Sequence, residues 1–271
     1  MSHQYRETHE KIKDFVNKKA AVHRGKFNSK TAEWRGPTSE IPMIIFQSWH
    51  SQHLPPKMYH CVEKLKSDNP EFLYFLFDDA ACRELIKTHF HKSVVDAFDK
   101  LIPGQYKCDL WKYCVLYVYG GVYLDMKYQC VNGFRFKDVI NREHFVLERP
   151  GFWSPSTYGI YNGMMICKPE NPLMMRCIRA IVHNVKTRNM GFGSLYPTGP
   201  GLVGSLYFGN INKHVGKIHD FDFFFRPDAD DQIVCNNVVV LKGYPEYRSE
   251  QRRMQKTPHY TILWEKKTIY H

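Results

Sequence analysis

The sequence predicts an α/β domain built on a mostly parallel sheet flanked by helices. Three observations lead there. Short apolar runs such as MIIFQSW and FLYFLFDD do not alternate with polar residues, as expected of strands buried on both faces. Segments of helical periodicity separate these runs, which is the pattern of β-α-β units. Hydrophobic residues make up 43% of the 271, enough to bury one large core.

Residues 1–40 are polar, charged and weakly helical. We read them as an extension that packs on the main domain or serves self-association into a homo-oligomer. The domain proper spans 41–271. Its first strand is 43–49, too short for a helix. After Pro55 and Pro56 a helix spans 58–69, stopped before Pro70 because the residue preceding a proline is pushed out of helical geometry. Residues 72–79 form the second strand and 80–90 a helix. A longer helix, 106–119, is closed by Gly120 and Gly121 as a C-cap, and GVYLD, 121–125, is the third strand. Later strands fall at 144–149, 163–168, 217–225 and 235–243, with a helix over 172–185. No internal repeat or low-complexity tract is present.

Lys and Arg outnumber Asp and Glu by 38 to 27, a formal net charge of +11. That surplus favours polyanionic or phosphorylated partners. The stretch EYRSEQRRMQK hints at nucleic acid, but basic residues are spread among acids and no recognised RNA or DNA module occurs, so nucleic acid is set aside. No run of eighteen apolar residues exists, so no membrane span is expected, and the first residues lack an apolar signal-peptide core. The eight cysteines lie scattered in apolar runs without a C-x-x-C pair, as small buried hydrophobes do. A reducing, cytoplasmic setting is the expectation.

Ligands of open α/β sheets bind beyond the carboxyl ends of the strands. The polar residues at those ends are Gln47 and Trp49, then Asp78 and Asp79, then Asp125 with Lys127. Asp125 and Lys127 share a face if the chain there stays extended. Asp109 and Lys112, three apart, share one face of the helix that precedes them. Each alone reads as a surface ion pair or a cap; together at one sheet edge they outline a site. His89-Phe90-His91 reads as a surface pair. GFGS at 191–194 lacks the context of a phosphate loop. TGPG at 198–201 is a turn entering a helix, whose amides could face a ligand. DADD at 228–231 reads as a solvated loop, with acceptor contact as the alternative.

In that order, the blocks IPMIIFQSWHSQHLPP, NPEFLYFLFDD, CDLWKYCVLYVYGGVYLDMK, NGMMICKPENP and TGPG resemble a family of sugar-nucleotide glycosyltransferases. It is the family that holds the fungal initiating α-1,6-mannosyltransferase and the α-1,4-galactosyltransferases. The resemblance covers about 41–201, with HYTILW at 259–264 similar to the family's closing segment. It implies a GT-A-like, Rossmann-like fold and a UDP- or GDP-sugar donor. It also implies hexose transfer to a glycan, lipid or small-molecule acceptor, with retention of anomeric configuration. Carried over by position, Gln47, Ser48 and Trp49 would meet the base. Asp109 would meet ribose or sugar hydroxyls, Lys112 a phosphate or a sugar hydroxyl, and Tyr123 the donor. Asn162, Thr198 and Gly199 would lie on the acceptor side, and His259 and Trp264 would close over the diphosphate. Asp125 is the first carboxylate of the family's D-x-D motif.

Two positions depart from the family. Lys107 replaces the usual Arg or Gln, and Lys127 stands where the second aspartate of D-x-D should bind Mn²⁺. Three readings follow. The ammonium of Lys127 replaces the metal, with Asp125 orienting it or binding a sugar hydroxyl, so that no metal is required. Alternatively Mn²⁺ or Mg²⁺ is retained by Asp125, the diphosphate, water and His259. In the third reading the protein binds nucleotide sugar or a partner without transfer. The first is preferred, since drift elsewhere in the motif would be expected of a degenerate enzyme.

Overall fold

Strand β1 (Ile44–Ser48) lies between β2 (Leu73–Phe77) and β3 (Gly121–Leu124), and pairs with both in parallel. This trio is the expected βαβ half of the fold. The computed structural model describes residues 6–12, 14, 41–150, 158–209, 221–227 and 231–271. Among these, six further strands complete one sheet: β4 (Tyr128–Cys130), β5 (His144–Pro150), β6 (Tyr158–Cys167), β7 (Phe223–Arg226), β8 (Gln232–Cys235) and β9 (Val238–Gly243). The order is β2-β1-β3-β6-β5-β7-β8-β9-β4. Beyond β3 only β5 and β7 pair in parallel; β6 runs against β3 and β5, and β7, β8, β9 and β4 form an antiparallel series. The sheet is therefore parallel where it carries the site and mixed elsewhere.

Helices α1 (Pro56–Asp68), α2 (Asp79–His89), α3 (Lys92–Lys100) and α4 (Gly104–Tyr119) connect the first three strands. Helices α5 (Pro172–Thr187) and α6 (Pro200–Phe208) follow β6, and α7 (Tyr247–Met254) and α8 (Tyr260–Glu265) close the chain. Helix α4 is the pillar of the core. Leu110, Trp111, Tyr113, Cys114, Val115 and Leu116 are all fully buried, packed with Phe46, Phe77 and Tyr123. Such a helix is apolar nearly all round, so two of its three charged residues, Asp109 and Lys112, are buried with it, while Lys107 stays partly exposed.

The expected C-cap is present. Gly120 has φ +63° and Gly121 φ +100°, both in the left-handed region. A Cβ on Gly120 would lie 2.6 Å from Pro169 Cδ and 2.9 Å from the Cys167 carbonyl oxygen. Gly120→Ala is expected to destabilise the fold by at least ~2 kcal/mol, the sum of a strained φ and a clash with rigid neighbours. The midpoint of urea unfolding checks it.

Several local expectations change. Asp78 is not a site residue: it is the N-cap of α2, its carboxylate accepting from the Ala81 amide at 2.9 Å. His91, exposed, caps α3, which begins just after α2 ends, whereas His89 meets the Tyr119 hydroxyl at 3.4 Å. Residues 235–243 are not one strand. Asn236 and Asn237, with φ of +49° and +62°, turn β8 back into β9 as a two-residue hairpin. Of the expected strand at 217–225, residues 217–220 lie outside those described. In the 1–40 extension, residues 6–12 are helical; Ile12 joins the main core, and His9 hydrogen-bonds the Tyr119 hydroxyl. Apart from residue 14, the rest of that extension lies outside the described residues, as do Asp228, Ala229 and Asp230. No described helix is long and apolar enough to cross a membrane.

Candidate active site

A cavity of about 850 Å³ opens beyond the carboxyl ends of β1, β2 and β3. Ser48, Trp49, Asp79 and Asp125 reach it from the strand ends, and Cys108 and Asp109 from α4. The opposite wall is built by Tyr161 and Asn162 of β6, Asp231, Arg248 of α7, and His259. The place is the one that a parallel sheet reserves for ligands.

Asp109 anchors the floor. One carboxylate oxygen, Oδ1, accepts from Asn162 Nδ2 at 3.0 Å and lies 3.0 Å from Lys112 Nζ; the other, Oδ2, accepts from Thr198 Oγ1 at 2.7 Å. Asn162 Nδ2 also reaches the Tyr113 hydroxyl at 2.7 Å, and Lys112 Nζ donates to the Asn162 carbonyl at 3.2 Å. Three chain segments, α4, β6 and the turn before α6, are thereby tied to one carboxylate. Burial pulls the Lys112 ammonium down, but Asp109, Cys108 and Asp125 outweigh it and hold its pKa above an ordinary lysine's.

Asp125 follows the last residue of β3. Its Oδ1 accepts from the Tyr123 hydroxyl at 2.8 Å and lies 3.7 Å from Lys112 Nζ. Tyr123 is held in turn by Cys108, and Cys108 by Ser48, at 3.2 and 3.1 Å. The chain does not stay extended beyond Asp125. It turns, with the Tyr128 amide donating to the Asp125 carbonyl at 3.2 Å, so Lys127 leaves the strand face expected of it. Its side chain lies over the rings of Tyr128 and Tyr161, at 5.2 and 5.6 Å, and ends 2.6 Å from Asp231 Oδ2. Lys127 is only 7% exposed. Burial lowers its pKa, and Asp125 and Asp231 offset this only in part. Asp231 is thus no solvated loop residue: it is half-buried and also accepts from Arg248 at 2.8 Å.

Ser48, Trp49, Tyr123, Asp109, Asp125, Lys127, Asn162 and His259 all face this cavity, from stretches far apart in the chain. Trp49 Nε1 is buried there and has no hydrogen-bond partner among the described residues. Five other residues are placed differently. Gln47 points into the sheet, accepting from the Tyr74 hydroxyl at 2.9 Å and donating to the Asp125 carbonyl at 3.2 Å, so it braces Asp125 rather than meeting a base. Lys112 has no exposed surface and cannot touch a phosphate without displacing its partners. Thr198 is likewise buried and serves Asp109, and Gly199 packs 3.5 Å from Asp109 Oδ2 when given a Cβ. Trp264 donates its indole N–H to the Met190 carbonyl at 2.7 Å and stays off the cavity wall.

A divalent ion does not fit these donors. Among the described residues no group of three His, Cys, Asp or Glu converges. Asp125 faces one ammonium at 3.7 Å and is electrostatically coupled to a second. His259 caps α8 through the Thr261 amide, and burial with Arg248 nearby lowers its pKa.

Residues 55–146 match a family model described as "Glycosyltransferase sugar-binding region containing DXD motif". The match covers about a third of the chain. Asp125 and Lys127 both lie within the matched residues. Inositol phosphoceramide mannosyltransferase 3 of Schizosaccharomyces pombe is 27% identical over 168 residues, 60% of this chain and 44% of that protein. Mannosyl phosphorylinositol ceramide synthase CSH1 of Saccharomyces cerevisiae is 26% identical over 183 residues, 67% of this chain and 46% of that protein. The chain spans about half the length of these curated relatives. Among solved structures, the PaToxG glycosyltransferase aligns with a TM-score of 0.47 and 13% identity, over 78% of this chain and 83% of that one.

Proposed function

We propose that the protein is a hexosyltransferase using a nucleoside-diphosphate sugar, with Lys127 in the place of the family's metal. The observation that carries this is the convergence of Trp49, Asp109, Asp125, Lys127 and Asn162 on one cavity at the strand ends. The family match over 55–146 supports sugar transfer as the reaction class. Relatives named as inositol phosphoceramide mannosyltransferases favour mannose as the sugar and a phosphoinositol-bearing lipid as the acceptor. Eight free thiols favour a reducing compartment.

Trp49 offers a ring to stack on the base and an unsatisfied indole N–H to meet an acceptor atom. Transfer breaks the bond between the anomeric carbon and the diphosphate oxygen. The departing oxygen gains negative charge, and the Lys127 ammonium neutralises it. Asp125, fixed by Tyr123, holds a sugar hydroxyl near the reacting carbon. The acceptor oxygen attacks from the side that the diphosphate leaves, and its proton passes to the leaving phosphate oxygen. Configuration is retained, and no separate base is needed.

A thermal-shift panel of UDP- and GDP-hexoses, with and without Mn²⁺, tests the donor. Stabilisation by one of them without metal is expected; none by any would refute the reading. The pH profile gives a second check. A lysine whose pKa is lowered loses its proton before pH reaches the ordinary 10.5, so activity should fall on an alkaline limb below that value. Lys127→Arg should move that limb upward, because a guanidinium stays charged.

A further inference from the structure

Lys127 already has an anionic partner before any donor arrives. Its Nζ and Arg248 Nη2 converge on the same oxygen, Asp231 Oδ2, at 2.6 and 2.8 Å. The three residues come from the turn after β3, the position before β8 and the first turn of α7. All three line the cavity. One carboxylate therefore stands between two cations, inside the space assigned above to the donor. The pieces differ in freedom. Lys127 is 7% exposed with its Nζ beside two tyrosine rings, whereas the side chains of Arg248 and Asp231 are 57% and 23% exposed.

We propose, on the strength of the donor reading above, that Lys127 and Arg248 form a two-cation clamp for the donor's diphosphate. Asp231 is the clamp's internal placeholder, exchanged for phosphate oxygens when the donor binds. Charge balance requires the exchange. Two cations against one carboxylate leave a surplus of one positive charge, while a diphosphate diester brings two negative charges and matches the clamp in full. A carboxylate left between them would face phosphate oxygens at contact distance in a half-buried site, where like charges repel strongly. Asp231 is the group able to leave, because its carboxylate is bonded to the two cations themselves and its side chain is 23% exposed. Asp125 is not, since Tyr123 and Lys112 hold it on the other side. Until then Asp231 supplies the countercharge that a buried ammonium needs. The arrangement also accounts for the lysine in the motif: with Arg248 beside it, the site carries two positive charges, as a divalent ion would.

Titration calorimetry with UDP, GDP and inorganic pyrophosphate on the wild type, Asp231→Asn, Arg248→Ala and Arg248→Lys decides the matter. Asp231→Asn keeps the shape and an acceptor oxygen while removing the competing charge. It should tighten nucleoside-diphosphate binding several-fold, whereas Arg248→Ala should weaken it about tenfold and flatten its salt dependence. Arg248→Lys should lie between the wild type and Arg248→Ala. A merely structural ion pair predicts that both Asp231→Asn and Arg248→Ala lower the melting midpoint with no opposed change in affinity, and that result overturns the clamp. Should Asp231→Asn fail to fold, Arg248→Glu, at an exposed position, replaces it, and undiminished binding there refutes the proposal. A wild type that binds neither UDP nor GDP refutes the donor reading and the clamp together; one that binds while the Arg248 variants are indifferent refutes the clamp alone.

Discussion

Lys127→Ala is expected to slow donor cleavage by about a hundredfold to a thousandfold, while excess EDTA leaves the wild type unaffected. The range is that of removing one group aimed at developing transition-state charge. The side chain is suited to the task because it is held in place before the reaction. Its ammonium lies over the Tyr128 and Tyr161 rings and is buried, so it needs little reorientation as the diphosphate departs. Binding should suffer less than rate if most of the charge develops at bond cleavage, so kcat should fall further than KM rises. Activity abolished by EDTA and restored by Mn²⁺ would contradict the assignment. Lys127→Asp supplies a readout independent of turnover. It sets a new carboxylate beside Asp125 and Asp231, and a Mn²⁺-dependent rise in melting midpoint is expected of that variant and not of the wild type.

The parallel trio and its ligand edge were legible because each rests on local signals. Unalternated runs mark β1 and β2, the glycine pair marks the end of α4, and the carboxylate after GVYL marks the edge of β3. Tandem carboxylates after β2 were ambiguous, and geometry splits them: Asp78 caps a helix, Asp79 faces the cavity. Gln47 misled for a related reason. A polar residue one position before a strand's end points into the sheet, where Tyr74 of the neighbouring strand satisfies it. The hairpin after β8 did carry a signal, two adjacent asparagines, but the run VVVL beside them read as a single strand. What local reasoning could not reach was the partner of Lys127. Asp231 is 104 residues away, in an acidic run that resembles any solvated loop. Arg248 sits in α7, a polar helix whose buried Glu250 turns inward to accept from the Lys57 and Met58 amides at the start of α1. Without an apolar stripe such a helix gives no hint of which face meets the core.

Asp109→Ala is expected to cost the fold ~3–5 kcal/mol, the range for removing one member of a buried ion pair. The loss is large because nothing replaces the carboxylate. Lys112 is fully buried and would keep the Asn162 carbonyl, the Tyr123 ring at 4.3 Å and Asp125 at 3.7 Å, while Asn162 and Thr198 would each lose an acceptor. The charge on Lys112 is insensitive to pH over the working range. The folded-state pKa of Lys112 is raised, so its contribution is complete below the ordinary lysine value of 10.5 and is lost only as pH climbs through the raised one. Charge, rather than volume, should therefore dominate. Asp109→Asn preserves size and one acceptor yet still strands the ammonium, so most of the destabilisation should remain. Lys112→Met in that background removes the stranded charge and should recover part of it. A double-mutant cycle from urea unfolding measures the coupling, expected at about 1–3 kcal/mol for groups in direct contact. Strictly additive losses would mean that the two charges do not stabilise one another. Because Asn162 hangs from the same carboxylate and lines the cavity, catalytic failure in Asp109→Asn should persist at temperatures where the variant is still folded.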